Sequence, residues 1–153
     1  MIHDPELTDR LAQFASETFS GVVFRATRAN LDPLAFSHRA GRWMPENGTA
    51  AVLYTSVERE GALAEIAFHW SQLTPVPTKP VSLHRLEIQT HKTLRLLRGE
   101  LGQLDVDLDR FGDMFYGRTQ EIGAAVAFLG HDGLIAPSAR WSCDNLMVFQ
   151  RQP

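Results

Sequence analysis

The order of helical and extended segments predicts an α+β fold, with a single domain over residues 1–153 built around a mixed β-sheet. Three observations support this prediction. The length of 153 residues is typical of one domain. The composition, 44% hydrophobic and 22% charged, is that of a globular chain with a real core. Helical and strand periodicities are interspersed, but they lack the regular βαβ alternation of a doubly wound sheet.

The first predicted element is an amphipathic helix over residues 5–18. Leu7 and Leu11 recur at helical spacing, and Asp4 is placed to cap the helix N-terminus. A strand is expected after this helix, over residues 22–25, where β-formers are concentrated.

Residues 32–48 form a long irregular segment that contains two prolines and two glycines. A loop of this length is uncommon in a compact domain unless it is functional. A strand over 51–55 follows, and then a helix over 57–71. The apolar residues at helical spacing, which predict the buried face of that helix, are Leu63, Ile66, Ala67 and Trp70. This periodicity places Glu65 on the opposite, solvent-facing side.

The second half of the chain alternates clear and unclear patterns. A strand is predicted over 81–88, a helix over 118–129, and closing strands over 133–136 and 146–149. Residues 93–112 show no clear pattern. The residues of the 81–88 strand expected to face inward are Val81, Leu83, Leu86 and Ile88. Their spacing changes by one residue, which predicts a slip within that strand.

Charge and composition argue against several classes of protein. The 15 basic and 18 acidic residues give a net charge of −3, whereas a dedicated nucleic-acid binder usually has a strongly basic face. Cys143 is the only cysteine, so no intramolecular disulfide can form. No uncharged apolar run approaches the roughly 20 residues of a membrane span, and the first residues lack the pattern of a secretory signal. We therefore expect a cytoplasmic protein with neither a nucleic acid nor a membrane as partner.

Motifs for metal and phosphate binding are absent from the sequence. The six histidines form no HxH or HExxH pair, and Glu65 with His69 offers at most two ligands on one helix face, so no metal is predicted. The P-loop, the GxGxxG fingerprint and the GxSxG elbow are also missing. If the protein binds a nucleotide, side chains must therefore hold the phosphates.

Arginines around the long irregular segment are the candidates for that task, since a planar guanidinium can bind two phosphate oxygens at once. They are Arg25, Arg28, Arg39 and Arg42. Arg42 is the strongest candidate because it lies in a loop that a core does not require, although a surface position is the commoner explanation for any one of them. Tyr54, Glu65 and Ser138, each taken alone, also have ordinary structural explanations.

Short stretches of the sequence, taken in order, resemble the RES domain, a family named for its arginine, glutamate and serine. They are residues 23–25, 41–43, 47–48, 52–56, 62–65 with His69, 119–123, 136–138 and 145–146. The resemblance covers roughly residues 21–149 and leaves 1–20 as an N-terminal helix. Two positions depart from the family pattern. Met44 replaces a common asparagine, and residues 145–149 keep only the first part of the usual Asn-Leu-Val-Ile-Asn-Pro ending.

The resemblance implies a fold similar to that of the ADP-ribosyltransferase toxins and an enzyme that consumes NAD. RES proteins are toxins of bacterial type II toxin–antitoxin systems, and an Xre-type antitoxin inhibits them by covering or filling the active-site cleft. Family members cleave the nicotinamide–ribose bond by hydrolysis or phosphorolysis, or they transfer ADP-ribose to a protein. For this chain the resemblance implies NAD as substrate, an Xre-type antitoxin as partner and no metal.

The resemblance also implies a catalytic group of Glu65, Arg25, Tyr54 and Ser138. Glu65 would stabilise the oxocarbenium-like ribose that forms when nicotinamide leaves, and would orient the incoming nucleophile. Tyr54 would pack against nicotinamide or its ribose. Ser138 would donate a hydrogen bond to the ribose or to a phosphate.

Binding of the pyrophosphate would fall to Arg25 and Arg42, with Arg28 as a second choice. The acceptor stays open. Water or phosphate would make the protein an NAD-depleting enzyme, whereas a protein side chain would make it a mono-ADP-ribosyltransferase. The small chain favours depletion slightly. A third hypothesis is a module that binds a nucleotide without turning it over.

Overall fold

The computed structural model of the protein describes residues 3–151 of the chain. In chain order its elements are α1 Pro5–Ala12, β1 Glu17–Arg28, β2 Ala50–Ser56, α2 Arg59–Ser71, β3 Val81–Arg95, α3 Arg98–Gln103, α4 Gly117–Phe128, β4 Gly133–Pro137 and β5 Asp144–Arg151, with a 3-10 turn at Leu108–Arg110 between α3 and α4. The mixture of helices and strands confirms the predicted α+β class. Among the described residues, no helix is long and apolar enough to cross a membrane.

The five strands close into a barrel in the order β1-β2-β5-β4-β3. β3 and β4 pair in parallel, with Leu94 opposite Leu134, and the other neighbouring strands are antiparallel. The sheet is therefore mixed, as predicted. The barrel closes between β1 and β2 at the pair Phe24–Ser56, and the pairing of β5 with both β2 and β4 brings the ends of those three strands together.

Two apolar clusters lie on the two faces of the strands. The larger one joins α1 and α4 to residues such as Leu134 and Met147, and the smaller one contains Val23, Ile135 and Leu146. Consecutive residues of β4 and β5 enter different clusters because side chains alternate between the faces of a strand.

The N-terminal helix is shorter than predicted, so the expectation of a helix over residues 1–20 is wrong. Asp4 caps α1 as expected, accepting a hydrogen bond from the Glu6 amide at 3.0 Å, and Leu7 and Leu11 are fully buried. The helix ends at Ala12, and β1 begins well before the predicted strand because its residues pair with β3 along nearly their whole length. Residues 1–2 and 152–153 lie outside the described part of the chain.

The slip predicted inside β3 is also wrong. Pairing with β1 runs without a shift from Val81 to Thr90, and the irregularity comes after Thr90. Leu86 and Ile88 face the smaller cluster, but Val81 is 40% exposed and Leu83 lies on the opposite face by alternation. The apolar residues of β3 occupy both odd and even positions because they lie on both faces of the strand. In the sequence this spacing resembles a slip.

The segment 93–112, which has no clear sequence pattern, contains the end of β3, α3 and the 3-10 turn. Leu101 and Leu104 from this segment are buried in the larger cluster. The predicted helix over 118–129 and the strands at 133–136 and 146–149 correspond to α4, β4 and β5.

The buried face predicted for α2 is wrong, and the helix is turned by about half a revolution. Leu63 is 43% exposed, whereas Gly61 and Ala62 are buried and Glu65 is half-buried on the same side as Gly61. The cause is close packing, because a Cβ at Gly61 would lie 2.6 Å from Cys143 Sγ. Only small residues at these positions allow α2 to lie so close to Cys143. Glu65 is on the same side of the helix, so it also faces inward.

Candidate active site

The centre of the candidate site is the carboxylate of Glu65 on α2. Its Oε1 accepts hydrogen bonds from Ser138 Oγ at 3.0 Å and from Asn145 Nδ2 at 3.1 Å. Ser56 Oγ donates to Asn145 Oδ1 at 2.8 Å, which orients the amide so that its NH₂ group points to Glu65. Both donors bind Oε1, so Oε2 keeps its capacity to accept from a substrate.

A tight turn after β4 fixes the hydroxyl of Ser138. Ser138 Oγ accepts the backbone N–H groups of Arg140 at 3.1 Å and of Trp141 at 3.2 Å, and the Ser138 amide donates to Cys143 O at 2.8 Å. With two donors arriving from the backbone, the hydroxyl proton is directed to Glu65. The turn therefore holds the carboxylate in one orientation.

Arg42 reaches the site from the long irregular segment. Its guanidinium donates to Phe111 O at 2.6 Å and to Asp113 O at 3.4 Å, and it lies 4.7 Å from the ring centroid of Tyr116. Burial lowers the pKa of Arg42 from its ordinary value, the charge of Arg140 adds to this effect, and Glu65 and Tyr116 oppose it. The charge of Glu65 is therefore one of those that act on Arg42.

Tyr54 on β2 holds the long irregular segment through its hydroxyl group. Its hydroxyl accepts the backbone N–H of Trp43 at 3.2 Å, and a Cβ at Gly41 would lie only 2.5 Å from that oxygen. Burial raises the pKa of Tyr54 to about 12, so the phenol is neutral at physiological pH. The hydroxyl therefore remains a hydrogen-bond donor beside Arg42 and Glu65.

Helix α4 anchors the long segment on the other side. Gln120 Nε2 donates to Gly41 O at 2.9 Å, and Thr119 Oγ1 donates to Arg42 O at 2.6 Å. Met44, where the family commonly has asparagine, is 2% exposed in the larger cluster. This departure therefore affects the packing of the segment.

Arg25 is more loosely connected to this group. The row Phe24–Ser56–Asn145 crosses β1, β2 and β5, so Arg25 lies at the same end of the barrel as the partners of Glu65. Its Nη1 is 3.4 Å from Ala35 O, and burial lowers its pKa while Asp32 opposes the shift.

The structure thus brings four of the candidates from the sequence together, namely Arg42, Tyr54, Glu65 and Ser138. Arg25 instead binds the start of the long segment, and Arg28 is exposed at the end of β1.

Sequence reasoning missed two residues of the site. Asn145 lies in a stretch that matches the RES pattern, but its bond to Glu65 depends on pairing between β2, β4 and β5. Arg140 stacks on the Phe68 ring, 3.3 Å from its centroid, and donates to Gly112 O at 2.6 Å. Nothing in the local sequence distinguishes Arg140 from a surface arginine.

A cleft of about 510 Å³ adjoins this group. Phe68 and Gln72 of α2 line one side, and Arg110 with residues 112–115 line the other. Glu65 does not itself line the cleft, which borders the site at Arg140, since that side chain contacts both Phe68 and Gly112. Within residues 3–151, no three His, Cys, Asp or Glu side chains are grouped so that they could hold a metal ion.

A fixed carboxylate beside a buried cation and a neutral phenol suits two tasks. It can stabilise positive charge that develops on a substrate, and it can orient a hydroxyl group or a water molecule. The neighbouring arginines suit an anionic part of the same substrate.

Comparisons with known proteins agree with this architecture. The model of the RES domain family matches residues 13–153. A chain from the crystal structure of the M. tuberculosis MbcT–MbcA toxin–antitoxin complex superimposes with a TM-score of 0.85 at 20% sequence identity, and the match covers 98% of this chain and 86% of that one. No curated protein matches the chain in sequence.

Proposed function

Because this chain belongs to the RES domain family, we propose that it is an enzyme that cleaves the nicotinamide–ribose bond of NAD, and that it is the toxin of a toxin–antitoxin pair. The observation that carries the proposal is the environment of Glu65. Its carboxylate is held by Ser138 and Asn145 and lies within electrostatic reach of Arg42 and Tyr54.

In the proposed reaction the C1′–N bond of the nicotinamide ribose breaks and its electron pair leaves with nicotinamide. The oxocarbenium-like ribose that remains is stabilised by the negative charge of Glu65. Oε1 is already held by two donors, so Oε2 accepts a hydrogen bond from the ribose or from the nucleophile. The nucleophile bonds to C1′ through oxygen, and a proton from attacking water passes to Glu65.

The other residues position the substrate and the carboxylate. Ser138 and Asn145 keep Glu65 in one orientation. Tyr54 stays protonated, holds the segment that carries Arg42, and faces the nicotinamide side. Arg25 and Arg42 supply positive charge for the phosphates, and Arg28 lies further out at the end of β1.

We propose water or phosphate as the acceptor, so that the outcome is depletion of NAD in the cytoplasm. Transfer of ADP-ribose to a protein side chain uses the same bond cleavage and differs only in the nucleophile. The proposed partner is an antitoxin of the Xre type. The structural neighbour from a toxin–antitoxin complex supports an antitoxin as partner, and the exposed Met114 and Phe115 beside the cleft offer apolar surface for it.

The test is Glu65→Gln, which keeps the shape of the side chain and removes its charge. We expect NAD consumption to fall by about 100-fold or more, the loss typical of an electrostatic stabiliser, with an unchanged urea midpoint of unfolding. Products are separated by chromatography, with and without phosphate, and adenine-labelled NAD reports any transfer to protein. Glu60→Gln, at an exposed position on the same helix, is the matched control and should retain full activity.

Two results would contradict the proposal. If Glu65→Gln consumes NAD at the wild-type rate, the assigned role of the carboxylate is wrong. If the wild-type chain consumes no NAD with water, phosphate or protein as acceptor, a nucleotide-binding module without turnover explains the site better.

A further inference from the structure

Arg140 is held rigidly at the junction between the carboxylate and the cleft. Its guanidinium stacks on Phe68, its Nη1 donates to Gly112 O, and its backbone amide donates to Ser138 Oγ. Ser138 in turn binds Glu65. The position of this guanidinium relative to the carboxylate is therefore set by α2, by the turn after β4 and by the segment at 112.

One edge of this guanidinium has no partner. Nε and Nη2 are both buried, and neither makes a hydrogen bond within the described residues. In arginine these two N–H groups point the same way along one edge of the plane, which is the edge that binds two oxygens of a phosphate side by side. Buried unpaired donors are costly to a folded chain, so a built site for an oxyanion is the natural explanation for a matched pair of them.

Arg42 is already tied to the backbone, because its Nη1 and Nη2 donate to the carbonyl oxygens of Phe111 and Asp113. The charge of Arg140 acts on Arg42 unfavourably and contributes to lowering the Arg42 pKa. Two like charges held close together attract an anion, and in Arg140 the paired donors Nε and Nη2 are both buried without a hydrogen-bond partner among the described residues.

The cleft supplies the route to this edge. Phe68, which lies under the guanidinium, and Gly112, which binds its Nη1, both line the cleft. Because the edge itself is buried, the anion reaches it only when neighbouring side chains move. Met114 and Phe115 at the cleft are 56% and 70% exposed, so these two side chains can move with little loss of packing while Gly112 O keeps its bond to Arg140.

We propose that Arg140 binds the pyrophosphate of the dinucleotide through Nε and Nη2, with Arg42 supplying a second positive charge. The adenosine half then lies along the cleft towards Met114 and Phe115, and the nicotinamide ribose reaches Glu65. This inference rests on the proposed cleavage of NAD and names the residue that anchors the substrate during it.

The experiment compares Arg140→Gln and Arg140→Lys with wild type in the full chain. Lys keeps the charge but lacks the paired donors, so both variants should weaken binding of inorganic pyrophosphate, measured by titration calorimetry, by about tenfold to a hundredfold. The KM for NAD should rise by a similar factor, with a smaller change in kcat. Arg85→Gln, exposed on β3 and paired only loosely with Glu87, removes the same charge and should stay within about twofold of wild type.

Inhibition by nicotinamide, which carries no phosphate, separates binding from a merely structural role. We expect its inhibition constant to be unchanged in both variants. Equal losses for nicotinamide and pyrophosphate, or pyrophosphate binding in both variants equal to that of wild type, would overturn the proposal. So would a wild-type chain that binds no pyrophosphate. If wild type binds pyrophosphate through Arg140 but never cleaves NAD, the anion site stands and the proposed function fails.

Discussion

Apolar residues at helical spacing mark the buried face of helix α4, but they do not mark the buried face of helix α2. In α4 the apolar residues at helical spacing, Ile122 and Val126, are fully buried. In α2 the same reasoning selects a face with Leu63, which is 43% exposed, and leaves out Glu65, which turns inward to the site. Apolar periodicity identifies the inner face of a helix that packs into a core, but it fails for a helix whose inner face lines a polar site.

The two helices also approach their neighbours through glycines in different ways. A Cβ at Gly123 of α4 would overlap the backbone carbonyl of Trp43, whereas a Cβ at Gly61 of α2 would meet the Sγ atom of Cys143. A backbone carbonyl in a packed segment cannot turn away, but a side-chain atom can. The contact of α4 is therefore the more rigid one.

The largest expected effect follows from this contrast. Gly123→Ala should destabilise the protein by about 3 kcal/mol or more, at the upper end for overpacking, because the Trp43 backbone must shift. Gly61→Ala should cost less, about 1–2 kcal/mol, since Cys143 can rotate and alanine favours the helix, although Ser56 Cβ at 3.2 Å must also give way slightly. Urea unfolding measures both values.

Gly117→Ala is the control for these substitutions, because a Cβ there meets nothing within 4 Å. It should be neutral or slightly stabilising. A larger loss of stability for Gly61→Ala than for Gly123→Ala would break the comparison.

The second prediction compares the stability contributed by a buried apolar residue of α4 with that contributed by an exposed one of α2. Ile122→Ala removes a fully buried side chain from the larger cluster and should cost about 2–5 kcal/mol. Leu63→Ala, at a position 43% exposed, should cost less than about 1 kcal/mol. Both values come from urea unfolding curves analysed with a common slope. Similar losses of stability at the two positions would show that the face of α2 that carries Leu63 is packed against other residues.

The smallest effect is a dependence on pH near the end of α4. His131 is 4% exposed, its amide donates to Val126 O, and its Nδ1 has no partner among residues 3–151. Burial lowers the pKa of His131, and the charge of Lys92 lowers it further. The fold therefore favours the neutral ring, so its contribution is complete above the unfolded pKa of about 6.5 and is lost as the pH falls below that value.

His131→Gln should reduce the loss of stability between pH 7 and pH 5, measured by urea unfolding at each pH. The remaining histidines are common to both proteins, so the difference between the two slopes reports on His131 alone. Identical slopes would show that protonation of this ring is not resisted by the fold.

Local patterns predicted much of the fold. The cap at Asp4, the buried residues of α4 and the strands β2, β4 and β5 follow from continuous stretches of spacing and β-propensity. The early end of α1 and the length of β1 did not, because pairing with β3 across the barrel overrides the helical pattern of residues 13–18.

In the candidate site, too, some features could be predicted from the sequence and others could not. The order of short motifs along the chain marked Arg25, Arg42, Tyr54, Glu65 and Ser138 as candidates, and four of these five lie together in the structure. Their chemical types and spacing are properties of the sequence, and so is the absence of a glycine-rich phosphate loop. The inward direction of Glu65 could not be predicted in this way, since its own helix pattern placed it in solvent.

Only the tertiary structure decided which partners meet. Glu65 is 73 residues from Ser138 and 80 from Asn145, and those contacts exist because the barrel closes with one register between β2, β5 and β4. Arg140 became a binding candidate in the same way, since burial of its free edge depends on α2 and on the segment at 112. A sequence determines spacing and residue type, whereas the direction of a side chain and the loss of its water depend on elements far away along the chain.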